Sequence, residues 1–409
     1  MRSASCRVCG KKLDHTFVDL GLSPLANSYV SRDAAHLGEK FYPLHVFVCE
    51  RCFLVQLEEF ETPDAIFSHY AYFSSFSKSW LKHAETYADT MIRRFGIGPD
   101  SKVVEIASND GYLLQYFVCR NVPVLGVEPA QNVANVAIKN GVPTHVGFFG
   151  VETAEKLLSE GHAADLMAAN NVLAHVPDIL DFMGGFSRLL KPNGVATFEF
   201  PHLLNLIREV QFDTIYHEHF SYLSLTIVRR VAEQFGLRVF DVEELTTHGG
   251  SLRVFVCRKT AEHPELPTVK SLLRKEEEFG LTSLAGYAGF APKVVDIKCR
   301  SLEFLIQARN EGKLVVGYGA AAKGNTFLNY CGIGPELVRA VADRSPAKQD
   351  TLLPGSRIPV ISPEQLLVMK PDYVLILPWN IRNEVMSELS RIADWGGRFV
   401  TAIPQIEIR

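Results

Sequence analysis

The densest grouping of acid–base side chains in this 409-residue chain is Tyr216-His217-Glu218-His219-Phe220-Ser221-Tyr222. Its two histidines are two residues apart, not four. On a helix they would point to different faces, so a metal-hydrolase site of the HExxH type is disfavoured. In an extended loop Tyr216, Glu218 and Phe220 share one side and His217 and His219 the other. These side-chain types suit general acid and base roles, the alternative being a hydrogen-bonded structural cluster.

A second chemistry lies at the N-terminus. Cys6-Arg7-Val8-Cys9 and Cys49-Glu50-Arg51-Cys52 are two CxxC knuckles, each able to place two thiolates on one metal. Together they predict a closed Cys₄ site for structural Zn²⁺. A redox pair would need only one CxxC at a helix start.

The third group is Val103-Val104-Glu105-Ile106-Ala107-Ser108-Asn109-Asp110-Gly111, a buried strand running into a tight turn and a helix from Tyr112 to about Cys119. Gly111 supplies backbone freedom and close ligand approach. The next strand, Val124 to Val127, ends in Glu128, an acid placed to accept two ribose hydroxyls. The turn is not GxGxxG, and Asp110 disfavours a phosphate. S-adenosylmethionine (SAM) fits: adenosine, a sulfonium and an amino acid tail, with no phosphate.

These groups need elements to position them. Strands begin near Lys102, Pro123, Pro143, Asp165 and Gly194 and alternate with helices, which predicts a doubly wound parallel sheet. Ligands in such sheets bind outside the carboxyl ends of the strands, which gathers Asn109, Asp110, Glu128, Asn170, Asn171 and His175 around one crevice. An aromatic stretch, Tyr70 to Ser77, precedes a helix from about Lys78 to Arg94 and either lines a pocket or packs the zinc module. Asp19 to Asn27 is expected as an ordered loop. Thr247-His248-Gly249-Gly250-Ser251-Leu252-Arg253 is a Gly-rich turn into a strand, and a boundary falls in the polar stretch from Lys259 to Pro267. The charge run Arg274-Lys275-Glu276-Glu277-Glu278 is expected as a solvated helix face.

A second nucleotide-type unit, Leu314 to Thr326, reads Leu-Val-Val-Gly-Tyr-Gly-Ala-Ala-Ala-Lys-Gly-Asn-Thr. Its small residues and Lys323 could receive a phosphate, although the order is not that of a P-loop. Otherwise it is a shell covering the active site. Strands Val338–Ala342 and Tyr373–Leu377 continue it, followed by Asp343 and by Pro378-Trp379-Asn380.

Hydrophobic content of 47% and charged content of 22% are ordinary for globular chains of two or three domains. A net charge of −4 argues against a surface-wide nucleic-acid footprint. No stretch is apolar enough to span a membrane, no signal-peptide core is present, and the cytoplasm is the expected location. Beyond the knuckles, Cys119, Cys257, Cys299 and Cys331 are expected as buried small hydrophobes in a reducing compartment.

In order along nearly the whole chain, the paired CxxC knuckles, the EIASNDG turn, the HxP loop at His175, YHEHFSY, HGGS and GYGAAAKGNT resemble a family. It is that of the SAM-dependent sugar C-methyltransferases acting on nucleotide-linked 4-keto-6-deoxyhexoses, especially the C-3′ enzymes of branched deoxysugar pathways. The resemblance implies an α/β chain in three parts: a zinc-binding N-terminal module (1–75), a Rossmann-like SAM-binding domain (76–260) and a C-terminal Rossmann-like α/β domain covering the sugar nucleotide (261–409). It implies a monomer. By motif, Cys6, Cys9, Cys49 and Cys52 would bind zinc. Glu105, Asn109, Gly111, Glu128 and Asn171 would surround SAM, and Tyr72, His175, Tyr216, Glu218 and His219 would face the sugar. His248, Arg253 and Lys323 would hold the nucleotide. His217 receives no chemistry, since relatives can carry Asp there. In the implied reaction a base, His219 with Glu218 orienting or tuning it, removes the proton beside the ketone. The enolate carbon then takes the methyl group. Methylation at C-5′, a heteroatom methyltransferase and a non-catalytic zinc and Rossmann binding module are the rival readings.

Overall fold

The computed structural model describes residues 4–62, 74–76 and 78–409. Of the aromatic stretch Tyr70 to Ser77, Tyr72 with the rest of residues 70–73 and Ser77 lie outside the described residues. The chain forms two compact units, each assembled from three stretches: residues 1–13, 49–202 and 220–282 in the first, and 14–48, 203–219 and 283–409 in the second.

The first unit is built on a seven-stranded sheet. Its strands are β1 (Val103–Ile106), β2 (Val124–Glu128), β3 (Thr144–Val146), β4 (Ala164–Asn170), β5 (Leu190–Pro201), β6 (Leu237–Leu245) and β7 (Ser251–Arg258). Their spatial order is β6-β7-β5-β4-β1-β2-β3. β3, β2, β1, β4 and β5 pair in parallel, while β7 runs antiparallel to both β5 and β6. The parallel expectation therefore holds for five strands, and a β6–β7 hairpin completes the edge. Every residue of β1 and β2 is buried, as parallel strands covered on both faces require. The helix Lys78–Phe95 buries Ala84, Tyr87, Ala88 and Met91, spaced for one face, against this sheet. Strand order reverses between β1 and β4, so their carboxyl ends open the crevice where ligands of such folds sit.

Two expectations in this unit are corrected. The helix after the first turn is short, Leu114–Val118. The charge run 274–278 is not all solvated, because Glu276 is fully buried. Its carboxylate accepts from the backbone N–H groups of Leu225 (2.6 Å) and Thr226 (2.8 Å), the Thr226 hydroxyl (2.6 Å) and His202 Nε2 (2.8 Å). It thus caps the helix Leu225–Gln234, together with the Ser224 hydroxyl on Ile227 N–H.

The second unit carries β8 (Val315–Tyr318), β9 (Val341–Ala342), β10 (Val360–Ile361), β11 (Tyr373–Ile376), β12 (Arg398–Thr401) and β13 (Glu407–Ile408). The order is β10-β9-β8-β11-β12-β13, parallel except for β13. Residues Asp19 to Ser23 are not loop but the end of the strand His15–Ser23, which pairs with Tyr42–Val48. This hairpin packs on the helix Phe290–Asn310, where the Phe17 and Phe290 rings stack 4.4 Å apart. Cys257 and Cys331 are buried as expected, but Cys119 and Cys299 are exposed. No helix among the described residues is long and apolar enough to cross a membrane.

Candidate active site

The four knuckle cysteines converge in the first unit, with all their sulfur atoms within 4.8 Å of one another. Cys6 and Cys52 are 3.4 Å apart and Cys9 and Cys49 3.5 Å, far beyond the ~2.05 Å of a disulfide. Tetrahedral zinc–thiolate bonds of ~2.3 Å imply sulfur separations of about 3.8 Å, so the cluster fits Zn²⁺ with no ligand position left for chemistry. Gly10 N–H turns back to Cys6 C=O and Phe53 N–H to Cys49 C=O, both at 2.9 Å, which closes each knuckle. Gln56 steadies the centre: its amide N–H donates to Cys6 Sγ at 3.2 Å and its carbonyl accepts Arg7 N–H at 3.0 Å.

The turn after β1 is conformationally demanding. Ala107, Asn109 and Gly111 all have positive φ. Asn109 N–H donates to Glu128 Oε2 and Ala130 N–H to Glu128 Oε1, both at 2.9 Å. Each carboxylate oxygen has a second acceptor site for a diol. Burial raises the Glu128 pKa, and the two N–H donors oppose that rise. Burial pushes Glu105 well above the carboxylate range, with the Tyr112 hydroxyl opposing and Glu128 and Asp110 reinforcing. Ser74 N–H binds Asn109 Oδ1 and the Ser75 hydroxyl binds Asp110 Oδ2, so the second half of the aromatic stretch closes on this turn. Asp110 Oδ1 and Asn170 Oδ1 are buried at the ends of β1 and β4 without a protein partner among the described residues. Such orphaned acceptors suit the ammonium and hydroxyl donors of SAM. Asn171, also at positive φ, and half-buried His175 follow β4.

A Cβ added to Gly111 would meet Val142 Cγ2 at 3.0 Å and Ala137 Cβ at 3.4 Å. Its smallness serves the turn and the packing beneath it. The Arg253 guanidinium is likewise committed within the protein: Nε binds Glu199 Oε1 and Nη1 binds Glu243 Oε2, each at 2.7 Å. His83 contacts the other Glu199 oxygen at 2.8 Å, and His83 and Arg253 overcome burial to lower the Glu199 pKa. His248 sits at positive φ with its ring edge on Trp80.

The acid–base cluster belongs to the second unit and is a turn, not an extended loop: His219 N–H bonds Tyr216 C=O at 2.9 Å. The turn brings the two ring centres to 4.0 Å, tilted by 32°, and sets the Tyr216 hydroxyl 2.9 Å from His219 Nε2. His219 Nδ1 lies 2.7 Å from Thr214 C=O. A carbonyl only accepts, so Nδ1 carries the hydrogen. Neutral His219 then presents its Nε2 lone pair to the tyrosine hydroxyl. The group orienting His219 is therefore Thr214. Glu218 is held instead by Asn27, whose amide donates to Oε1 at 2.6 Å. Burial drives the Glu218 pKa up to about 7, opposed by Asn27. His217 donates to Pro43 C=O at 3.2 Å, and burial lowers its pKa.

Asp213 is a buried acid that no motif in the sequence marks. It accepts Trp379 Nε1–H at 2.7 Å, and has its pKa raised to about 6 by burial despite the nearby Lys323 charge. The Lys323 ammonium lies 4.7 Å from the Trp379 ring centre and 2.8 Å from Asn380 Oδ1. Nothing local in the sequence links Asp213 to Trp379. The terminal Pro378-Trp379-Asn380 of its strand was the one signal.

The seven-stranded sheet, the acid ending β2 and the four-thiol centre define a SAM-dependent methyltransferase with a zinc module. The chain belongs to the C-methyltransferase family. Over 400 residues it is 38% identical to C-methyltransferase NovU of Streptomyces niveus, covering 98% of this chain and 95% of that protein. Three family models match: a C-methyltransferase C-terminal domain over residues 246–404, a methyltransferase domain over residues 80–242 and a domain described as zinc-binding over residues 6–67. A ubiquinone biosynthesis O-methyltransferase of Bartonella bacilliformis is 28% identical over 95 residues, 23% of this chain and 38% of that protein. Among solved structures, an S-adenosylmethionine-dependent methyltransferase from Mesorhizobium loti covers 44% of this chain and 100% of its own, at 13% identity and a TM-score of 0.35.

Proposed function

We propose that the protein methylates C-3′ of a nucleotide-linked 4-keto-6-deoxyhexose, carried on dTDP or GDP, in branched deoxysugar biosynthesis, as a cytoplasmic monomer. The observation that carries the reading is the Tyr216–His219 pair, with a carboxyl of pKa about 7 between them in sequence. Carbon methylation needs a base for a weakly acidic C–H and a donor for the enolate oxygen, and an imidazole lone pair beside a carboxyl poised near neutral pH supplies both. The C-4′ ketone acidifies the C-3′ hydrogen. The Tyr216 hydroxyl gives up the Nε2 lone pair to donate toward the substrate, and His219 Nε2 takes the C-3′ proton. Glu218, neutral below about pH 7, is a hydrogen-bond donor for the enolate oxygen; Tyr216, Tyr72 and His175 are the other donor candidates. The enolate carbon attacks the methyl group in line with the departing sulfur, and S-adenosylhomocysteine leaves.

Glu105, Asn109, Gly111, Glu128 and Asn171 form the SAM site in this reading, with Gly111 acting through the turn. His248 is the candidate for the nucleotide, while Lys323 is engaged by Asn380 and Arg253 supports the sheet. The NovU relationship supports carbon as the acceptor atom. The test incubates a panel of nucleotide-4-keto-6-deoxyhexoses with SAM and follows mass. One added methyl on a single member supports the reading, and NMR of that product separates C-3′ from C-5′. No methyl on any member, with SAM still bound, refutes the acceptor class.

A further inference from the structure

We propose that Asn325 and Thr326 are positioning residues for the acid–base turn, and that this is the work of the Ala322-Lys323-Gly324-Asn325-Thr326 segment, not phosphate binding. The inference rests on the reading of residues 216–219 as the acid–base cluster.

The features that make this segment look like a phosphate loop are taken up by the chain itself. Gly319 has φ +90, and a Cβ there would lie 2.4 Å from Pro378 Cδ. A Cβ on Gly324 would lie 2.8 Å from Leu377 Cδ1. Ala320 N–H donates to Asp343 Oδ2 at 2.8 Å, and the Lys323 ammonium binds Asn380. The small residues thus admit Leu377 and Pro378, and the cation and one loop N–H face side chains of the same unit.

The next two residues reach the catalytic turn through its neighbours. Asn325, almost wholly buried, donates its amide N–H to Ala26 C=O at 2.6 Å. Ala26 precedes Asn27, whose own amide holds Glu218. The Thr326 hydroxyl donates to Ile215 C=O at 2.9 Å, its own helical acceptor, Ala322 C=O, being farther at 3.5 Å. Ile215 precedes Tyr216. Two successive residues of one helix, Ala322–Cys331, therefore grip the chain beside both halves of the cluster. They fix where the Glu218 clamp and the Tyr216–His219 pair stand relative to each other. Displacing a reacting group by about 1 Å can cost roughly a hundredfold in rate, so such a grip has kinetic weight without touching substrate.

The test compares Thr326→Val, which keeps the shape and loses the donor, with Thr326→Ser, which restores it, in the full-length protein. Three quantities are read: kcat and KM on the panel substrate, the NMR titration of the His219 imidazole (assigned by its loss in H219N), and binding of S-adenosylhomocysteine. We expect T326V to lower kcat about tenfold to a hundredfold, leave KM for SAM unchanged and shift the His219 midpoint, with T326S close to wild type. Wild-type kcat and titration in T326V overturns the proposal, as does an equal loss in both variants. Thr326→Cys replaces T326V should the valine variant not fold. If the wild type methylates no panel member, the functional reading fails, while the His219 titration still decides the positioning role.

Discussion

Tyr216 and His219 face each other across a single tight turn, the hydroxyl of one 2.9 Å from Nε2 of the other, while Thr214 C=O holds the opposite ring nitrogen. One imidazole is thereby fixed in tautomer and direction. His219→Asn keeps a donor for Thr214 but removes the base, so kcat is expected to fall by about 10²- to 10⁴-fold with S-adenosylhomocysteine affinity unchanged. Tyr216→Phe leaves the base in place, so its loss should be smaller and its pH–rate profile displaced. An H219N rate near wild type would sink the base assignment.

Glu218 should make activity and stability depend on pH. Its folded pKa is about 7, raised by burial above its ordinary value near 4.5. A carboxyl raised on folding contributes stability that is complete below the unfolded value and is lost as pH rises through the folded one. Between about pH 4.5 and 7 the Glu218 contribution therefore declines, and at pH 8 the buried carboxylate is a net cost. Glu218→Gln should flatten this slope and, at pH 8, stabilise the fold by about 1–3 kcal/mol, less whatever its amide loses against Asn27. The alkaline limb of kcat near pH 7 should vanish with it. Denaturant melts and pH–rate profiles of both proteins measure these, and an unchanged slope in E218Q would refute the assignment.

The zinc centre should be structural. Removing the metal with a chelator, or Cys49→Ser, is expected to unfold the N-terminal module, because so small a segment depends on its metal for stability. Gln56→Leu removes the donor to Cys6 Sγ and should weaken zinc affinity by about 10- to 100-fold while leaving four ligands. Competition with a colorimetric chelator reads the affinity. Full retention of fold and activity by the zinc-free protein would contradict a structural role.

How far residues disclose themselves depends on how local their partners are. The four thiols, the Glu128 acid and the strand–turn–helix around Asn109 are readable because spacing alone dictates their geometry. The Tyr216–His219 pairing is not, since a two-residue alternation applies only to extended chain and the backbone here turns. Lys323 and its glycines look like a phosphate loop because small residues and a cation are the signature. The same smallness serves equally to admit Leu377 and Pro378, about fifty residues away in sequence. Glu276 looks solvent-facing in sequence and Arg253 looks free for a ligand, and only the tertiary carboxylates and N–H groups around them reveal their burial.

Glu276 carries a stability prediction of its own. It takes four hydrogen bonds in a fully buried site and faces His202, which is buried too. Glu276→Ala strands two backbone N–H groups, a hydroxyl and an imidazole, and is expected to cost about 3–5 kcal/mol. Glu277→Ala, one residue on and exposed, should stay within about 0.5 kcal/mol. Equal melting temperatures for the two variants would show that the buried cap contributes nothing.

Gly111 separates two reasons for a glycine at a ligand-binding turn. Its φ is +81, and an added Cβ would press on Val142 at 3.0 Å. Gly98 has open space around it and no positive φ. Gly111→Ala should therefore cost about 1–3 kcal/mol, and Gly98→Ala almost nothing. The strain enters one residue after Asp110 and two after Asn109, whose N–H holds the Glu128 carboxylate. The affinity for S-adenosylhomocysteine should consequently fall with the stability in G111A, and remain wild type in G98A. Calorimetry on both variants reads the two effects together. A G111A protein as stable as wild type but unable to bind the nucleoside would mean that the glycine makes room for the ligand after all, and that the packing against Val142 yields without cost.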